Sequence, residues 1–255
     1  MDKRLGAQLY TVRELCKTKE DFEKTMKALA EIGFKTAQLS GIPEEVSRDP
    51  DYVRAVCDNY GIKIVATHLP YARYVDDLEE AVSFNKRLGV EVAGIGSAPI
   101  ELRRDLPTLR ETIKKCNEIN RHLEEEGMVF GWHNHSFEFA RVDGDKSVMD
   151  VILEEGNFTL ILDTYWLAYV GIDPARFIKK NGEKVSILHY KDLLPLPEVK
   201  VEYCEVGRGN ILWDEVALAS VAPRYAMIEQ DYCHDDPLKC LERSYKYLTT
   251  NFDFE

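Results

Sequence analysis

No stretch of this 255-residue chain approaches the roughly 20 consecutive apolar residues of a membrane-spanning helix, which excludes that kind of anchor. Positive charge is also in short supply: 33 Lys and Arg stand against 45 Asp and Glu, a net charge of −12. Nucleic-acid binding relies on a clustered cationic face, so a phosphate-backbone partner is disfavoured, and an anionic membrane surface is repelled for the same reason. None of the six cysteines (Cys16, Cys57, Cys116, Cys204, Cys233 and Cys240) belongs to a CxxC pair. Four of them fall in or beside predicted helices, so free thiols in a reducing compartment are expected. The opening residues MDKRLGAQLY lack the apolar core of a signal peptide, and a cytoplasmic location is the expectation. Glycine is missing from the loop after the first predicted strand, Tyr10-Thr11-Val12-Arg13, where a doubly wound nucleotide-binding sheet needs a Gly-rich turn. Low-complexity tracts, interdomain linkers and sequence repeats are absent too, so residues 1–255 read as one domain.

What is present is alternation. Hydrophobic residues make up 45% and charged residues 31%, ordinary for a globular chain, and the length suits a single (β/α)8 barrel of about 250 residues. Strand-like runs at residues 3–9, 36–39, 62–67, 90–95, 128–132, 158–162, 185–188 and 225–228 alternate with segments of helical period. The helices are expected at residues 19–32, 51–60, 76–88, 106–126, 147–155, from Pro174 onward, 213–221 and 237–249. Gly33, Gly61 and Gly89 close the first three, and Pro174 suits a first helical turn, where a missing N–H costs nothing. The residues between His189 and Trp213, with Pro195 and Pro197, read as a longer polar loop. Eight strand-helix units in strict order imply parallel strands with right-handed crossovers, and the count of eight implies closure into a TIM barrel.

In such barrels the carboxyl ends of the strands carry the active site. The stretch VFGWHNHSFEF (129–139) sets His133 and His135 two residues apart, hence on one strand face, with Glu138 following. His68 ends the third strand and His189 the seventh; of six histidines only His122 sits in a helix, while His234 follows strand eight. From the last four strands the chain offers Glu138, Asp163, His189 and Glu229. Three carboxylates and an imidazole suit one divalent cation, Mn2+ first, with Co2+, Zn2+ or Mg2+ as alternatives; without a cation the carboxylates would repel one another.

LGAQLYTVRE (5–14), GWHNHSFEF (131–139), LDTYWLAYVGIDP (162–174), HYKDL (189–193), EVGRGNILW (205–213) and IEQDYCHDDP (228–237) occur in this order. Together they resemble the sugar phosphate isomerase/epimerase superfamily, the xylose isomerase-like barrels that include keto-sugar epimerases, inosose dehydratase and endonuclease IV. The resemblance implies one divalent metal held by four side chains from strands five to eight. Asp163, His189 and Glu229 match the last three ligands. The first departs from the pattern: His133 stands where many relatives carry Glu, so the first ligand is assigned to Glu138, with His133 as the alternative.

The resemblance further implies proton abstraction next to a carbonyl through an enediolate, with Glu229 as one acid-base group, Glu138 or His133 as the other, and His135 contacting or shuttling protons to substrate. Gln8, Tyr10, Gln38 and His68 are expected around the pocket, Trp166 against a sugar face, Arg208 on a substrate oxygen, and Asp192 behind His189. The expected activity is isomerisation or epimerisation of a keto-sugar, sugar phosphate or keto-glycoside. A dehydratase or lyase acting on a keto-cyclitol or keto-sugar is the alternative. An endonuclease conflicts with the acidic charge, and a noncatalytic barrel would bind no ion. The partners expected are a small carbohydrate or cyclitol and, since relatives often dimerise or tetramerise, further copies of this chain; no nucleic acid and no membrane are expected.

Overall fold

The computed structural model describes residues 4–198 and 200–254; Lys3, where the expected first strand begins, lies outside the described residues. The strands are β1 (Arg4–Gln8), β2 (Thr36–Leu39), β3 (Lys63–Leu69), β4 (Val92–Ile95), β5 (Val129–His133), β6 (Arg141–Asp143), β7 (Lys146–Ser147), β8 (Thr159–Asp163), β9 (Val185–Tyr190), β10 (Asp192–Leu196), β11 (Lys200–Cys204) and β12 (Tyr225–Ile228). Eight of them close into a barrel in the order β1-β12-β9-β8-β5-β4-β3-β2. All eight pairings are parallel. The chain is therefore the (β/α)8 TIM barrel that the alternation implied.

The helices are α1 (Lys19–Ile32), α2 (Glu44–Ser47), α3 (Pro50–Asn59), α4 (Tyr71–Asp76), α5 (Leu78–Leu88), α6 (Leu106–Glu125), α7 (Val148–Glu155), α8 (Thr164–Tyr169), α9 (Pro174–Asn181), α10 (Trp213–Ala219) and α11 (Pro237–Asn251). Each of the long ones starts where a side chain can take up orphan N–H groups. Thr18 accepts from the Asp21 N–H ahead of α1, and Asp105 from the Thr108 N–H ahead of α6. Helix α1 then buries Phe22, Met26 and Leu29 along one stripe, and α6 buries Leu109, Ile113, Cys116 and Leu123. These stripes pack on the outer faces of the strands and form the main core.

A second, smaller cluster fills the barrel: Val65, Ala66, Val92, Ile161, Ile187, Tyr225 and Met227. Here two glycines are required by space. A Cβ on Gly94 would lie 2.6 Å from the Ile161 Cδ1, and one on Gly131 2.8 Å from the same atom, so both strands keep glycine to admit that side chain.

Three features depart from expectation. The segment after His189 is an antiparallel hairpin, β10–β11, and not a loop. Pro195 is tolerated because β10 pairs with β11 alone and leaves its other edge free. Immediately after Asp163 the chain forms α8, a six-residue helix too short to show a period. The helix expected over 76–88 is α5, entered through Asp77, whose carboxylate accepts from the Glu80 N–H.

Candidate functional site

Strands β5, β8, β9 and β12 are consecutive in the barrel wall, and their carboxyl ends bring four donors together. His133 is the last residue of β5 and Asp163 the last of β8; His189 lies in β9, and Glu229 follows β12. Register fixes the neighbours: Asp163 pairs with His189, and His189 with Met227, two residues before Glu229. One ligand atom from each of His133, Asp163, His189 and Glu229 lies within 4.8 Å of the other three, and all four residues are buried.

Outer contacts fix how these side chains point. The His133 Nδ1 stands 3.0 Å from the Gly96 carbonyl oxygen, so the N–H belongs on Nδ1 and the Nε2 lone pair faces the cluster. That Nε2 and the Asp163 Oδ2, 3.5 Å apart, are both buried and have no hydrogen-bond partner among the described residues. The other Asp163 oxygen accepts from the Trp166 N–H at 3.2 Å, and the Asp163 N–H donates to the Asn134 Oδ1 at 2.9 Å. His189 meets the Gln38 Oε1 at 2.7 Å through Nε2 and the Glu229 Oε2 at 2.9 Å through Nδ1. With Gln38 accepting from Nε2, Nδ1 is the ring atom that faces the cluster, opposite a carboxylate oxygen.

Above the four donors lies a cavity of about 360 Å3, into which His68, His133, His135, Lys191, Glu229 and Asp231 all face. The Lys191 side chain is 1% exposed; its ammonium sits 2.6 Å from the Asp231 Oδ1, 3.3 Å from the Asp163 Oδ2 and 3.5 Å from the Glu229 Oε2. Burial works to raise the Glu229 and Asp163 carboxyls. For Glu229 the Lys191 charge and His189 outweigh burial and hold it well below the ordinary value; for Asp163, Lys191 and His133 outweigh burial and lower it. Asp231 goes the other way, pushed up by burial and by the Glu229 charge. Burial would lower the Lys191 ammonium, and three carboxylates raise it instead. His68 falls well below its ordinary value through burial and the nearby His133. His135 falls to about 3 for the same two reasons, so its ring is neutral across the working range.

The donor set fits a divalent ion. Two of its atoms, His133 Nε2 and Asp163 Oδ2, are buried and make no hydrogen bond among the described residues, and neighbouring donor pairs stand 2.9 and 3.5 Å apart. Those separations are what ligands at about 2.0–2.2 Å from one centre require. Once His133 has given up its proton to act as a ligand, one lysine leaves Asp163, Glu229 and Asp231 two charges short of neutrality, the charge that such an ion brings.

Among the expected site residues, Asp163, His189 and Glu229 are brought together. Glu138 does not. Its two carboxylate oxygens accept from the Trp132 indole N–H at 3.3 Å and the His135 backbone N–H at 2.7 Å, which ties the turn after β5 together. Burial there raises its carboxyl to about 7. The alternative, His133, occupies the fourth position of the cluster. Arg208 is also displaced from its expected role: its side chain is 65% exposed and pairs with Glu205 at 3.0 Å. Asp192 does not touch His189; it accepts from the N–H groups of Leu193, Gly207, Gly209 and Ile211 and from the Trp213 indole, and so anchors the EVGRGN segment.

His68, His135 and Tyr10 face the cavity, Gln38 stands behind His189, and Trp166 lies beside His135 with ring centroids 5.4 Å apart. Gln8 accepts from the Tyr10 N–H, and its buried amide nitrogen has no hydrogen-bond partner among the described residues. Lys191 and Asp231 escaped the sequence reading. The signal was available, because each stands two residues beyond a ligand, as His135 stands beyond His133, and residues i and i+2 at a strand end share a face.

Comparison with known proteins fits this architecture. No curated protein sequence matches the chain. Among solved structures, a sugar phosphate isomerase/epimerase from Parabacteroides distasonis is 19% identical, with a TM-score of 0.78 over 97% of this chain and 96% of that one. An L-ribulose 3-epimerase is 13% identical, with a TM-score of 0.71 over 97% and 94%. The probable 3-DHS dehydratase involved in petrobactin synthesis from Bacillus anthracis is 11% identical, with a TM-score of 0.75 over 98% and 100%. At such identities these likenesses speak to the fold. The family profile reaches further: it matches residues 26–226, most of the barrel and all of the four donors but one, and the chain accordingly belongs to the xylose isomerase-like TIM barrel family.

Proposed function

We propose that the protein is a divalent-metal-dependent isomerase that forms an enediolate from a small keto-sugar or keto-glycoside. The observation that carries this reading is the buried His133–Asp163–His189–Glu229 cluster at the floor of a cavity whose volume, about 360 Å3, suits a single sugar ring. A bound Mn2+ would polarise the substrate carbonyl and offset the negative charge that develops on its oxygen. Glu229, which reaches both the cluster and the cavity, takes the proton from the carbon beside that carbonyl. The Lys191 ammonium, held in place by Asp231, donates to the oxygen as its charge grows. His68 and His135, both neutral, hydrogen-bond the remaining hydroxyls.

With His133 in place of a fourth carboxylate and Glu138 turned away, Glu229 is the acid-base carboxylate of the cluster that also faces substrate. One base on one face suits transfer of the proton between adjacent carbons, whereas epimerisation at one carbon requires a second group opposite. The same arrangement favours a second reading, dehydration of a keto-cyclitol or keto-sugar, in which Glu229 takes the proton and Lys191 protonates the departing β-hydroxyl. The two separate on incubation of the Mn2+-loaded protein with ketoses, keto-glycosides and inososes in deuterated water. We expect an isomeric product carrying one solvent deuterium, with the rate lowered about 10³-fold in Glu229→Gln. A product lighter by one water establishes the lyase, and no turnover of the panel with metal bound overturns both.

The reassignment of the fourth ligand has its own check. Glu138→Gln is expected to leave Mn2+ affinity within about twofold while costing roughly 1–3 kcal/mol of stability, because one of two buried N–H groups loses its acceptor. Isothermal calorimetry and thermal melts read the two effects apart; loss of Mn2+ binding would restore Glu138 as a ligand.

A further inference from the structure

A second cavity, about 630 Å3, adjoins the metal-site end of the barrel and is walled by Tyr165, Trp166 and Tyr169 of α8 and by Tyr203 of β11, with Lys200 at its rim. The rings form a graded wall. Tyr165 is 3% exposed, and its ring centroid lies 4.5 Å from that of Tyr203; Tyr169 stands farther out, 51% exposed, with its ring near parallel to that of Tyr165 at 6.0 Å. At the inner end the wall meets the site already described. The Lys191 ammonium is 5.2 Å from the Trp166 and Tyr203 rings, and Trp166 adjoins His135, which faces the first cavity.

We infer that this aromatic wall is a subsite for the flat-faced anomeric substituent of a glycoside whose sugar ring lies over the four donors. The inference rests on the reading given under Proposed function and narrows its substrate class from free sugars to glycosides. Two facts carry it. The first cavity accommodates one sugar ring and little more, and the aromatic faces begin beside it, with the Trp166 ring against His135 of that cavity and the Lys191 ammonium within 5.2 Å of the Trp166 and Tyr203 rings. Such rings contribute affinity by stacking against an aryl group or the C–H face of a second sugar. The wall is also built from α8 and the β10–β11 hairpin, segments beyond the minimal strand-helix unit, so it is an addition at the mouth and not part of the barrel core.

The test uses ligand-observed NMR and competition binding on the Mn2+-loaded protein, with methyl β-D-glucopyranoside, phenyl β-D-glucopyranoside and cellobiose as probes; Mn2+ binding is measured separately by electron paramagnetic resonance. The phenyl glucoside, cellobiose or both are expected to bind about tenfold more tightly than the methyl glucoside. Whichever gains identifies an aryl or a glycosyl substituent as the natural occupant. Sugar-ring protons should be broadened by Mn2+ more than those of the substituent. Tyr169→Ala should remove the gain and leave Mn2+ affinity unchanged. Equal affinities for all three probes, binding of none of them, or equal weakening of all by Tyr169→Ala overturns the subsite. A dimer that dissociates on Tyr169→Ala also overturns it, since the wall would then face a second copy. Failure of Mn2+ to bind strikes the metal-site reading instead, and the probes still report on the wall.

Discussion

Replacement of Asp163 by Asn is expected to lower Mn2+ affinity by well over 100-fold, more than the loss of an outer-shell partner costs. Asp163 Oδ2 is one of two buried atoms in the cluster that make no hydrogen bond among the described residues, and an amide there supplies at best a neutral oxygen. His133→Ala should do the same by removing the other. The pH dependence of the native protein follows from His133. Burial would lower this imidazole, but the adjacent Asp163 carboxylate overrides burial and holds it above its ordinary value. In the metal-free protein His133 therefore keeps a proton that metal must displace from Nε2. Mn2+ affinity should weaken about tenfold per pH unit once the pH falls below the raised folded value, a decline that begins above the ordinary imidazole value of about 6.5. The stability of the metal-free fold is expected to follow the opposite trend. The protonated His133–Asp163 contact contributes in full below the unfolded imidazole value and is lost as pH rises through the folded one. Calorimetry in buffers of different ionisation enthalpy, which counts released protons, checks the argument; binding that is flat in pH with no proton release would remove His133 from the ligand set.

The parts of this molecule that could be read from its sequence are those governed by period and by punctuation. Phe22, Met26 and Leu29 recur at helical spacing between a Thr18 cap and Gly33, and α1 runs over the expected Lys19–Ile32. Thr36–Leu39 and Tyr225–Ile228 are short apolar runs between turn signals, and both are strands with the expected bounds. Asp163, His189 and Glu229 were visible because a parallel barrel gathers whatever follows its strands. Residues whose role depends on which way the backbone turns after the strand were not visible. Glu138 is the required residue type near the required strand, yet a 3-10 turn at Ser136–Phe139 carries it back beneath the chain to cap that turn. Pro195 and Pro197 suggested a loop because the pairing that tolerates a proline, an edge strand with one neighbour, cannot be seen in one dimension. Asp192 looked like support for His189, but the hairpin turns its carboxylate to a ring of backbone N–H groups 15 to 19 residues ahead.

Lys191→Met is expected to have the largest effect on stability, and to make the fold depend on metal. Asp163, Glu229 and Asp231 share one ammonium, with the nearest oxygen of each between 2.6 and 3.5 Å from Nζ. Methionine has similar length and no charge, so the substitution removes the cation without opening a large cavity. Loss of one partner from a buried ionic group costs about 3–5 kcal/mol, which for a chain of this size corresponds to a fall in Tm of about 10 °C in EDTA. Saturating Mn2+ should recover most of the loss, because the ion binds only the folded cluster and supplies the charge that lysine took away. The Mn2+-induced rise in Tm should therefore be greater in the variant than in the native protein. Deuterium incorporation should remain low even with Mn2+ bound, since no ammonium is left to donate to the developing oxyanion. That split, stability recovered by metal and proton exchange not recovered, separates a lysine that serves the reaction from one that only balances charge. If the metal-free variant melts with the native protein, the three carboxylates do not share Lys191, and the charge argument for a divalent ion falls with it.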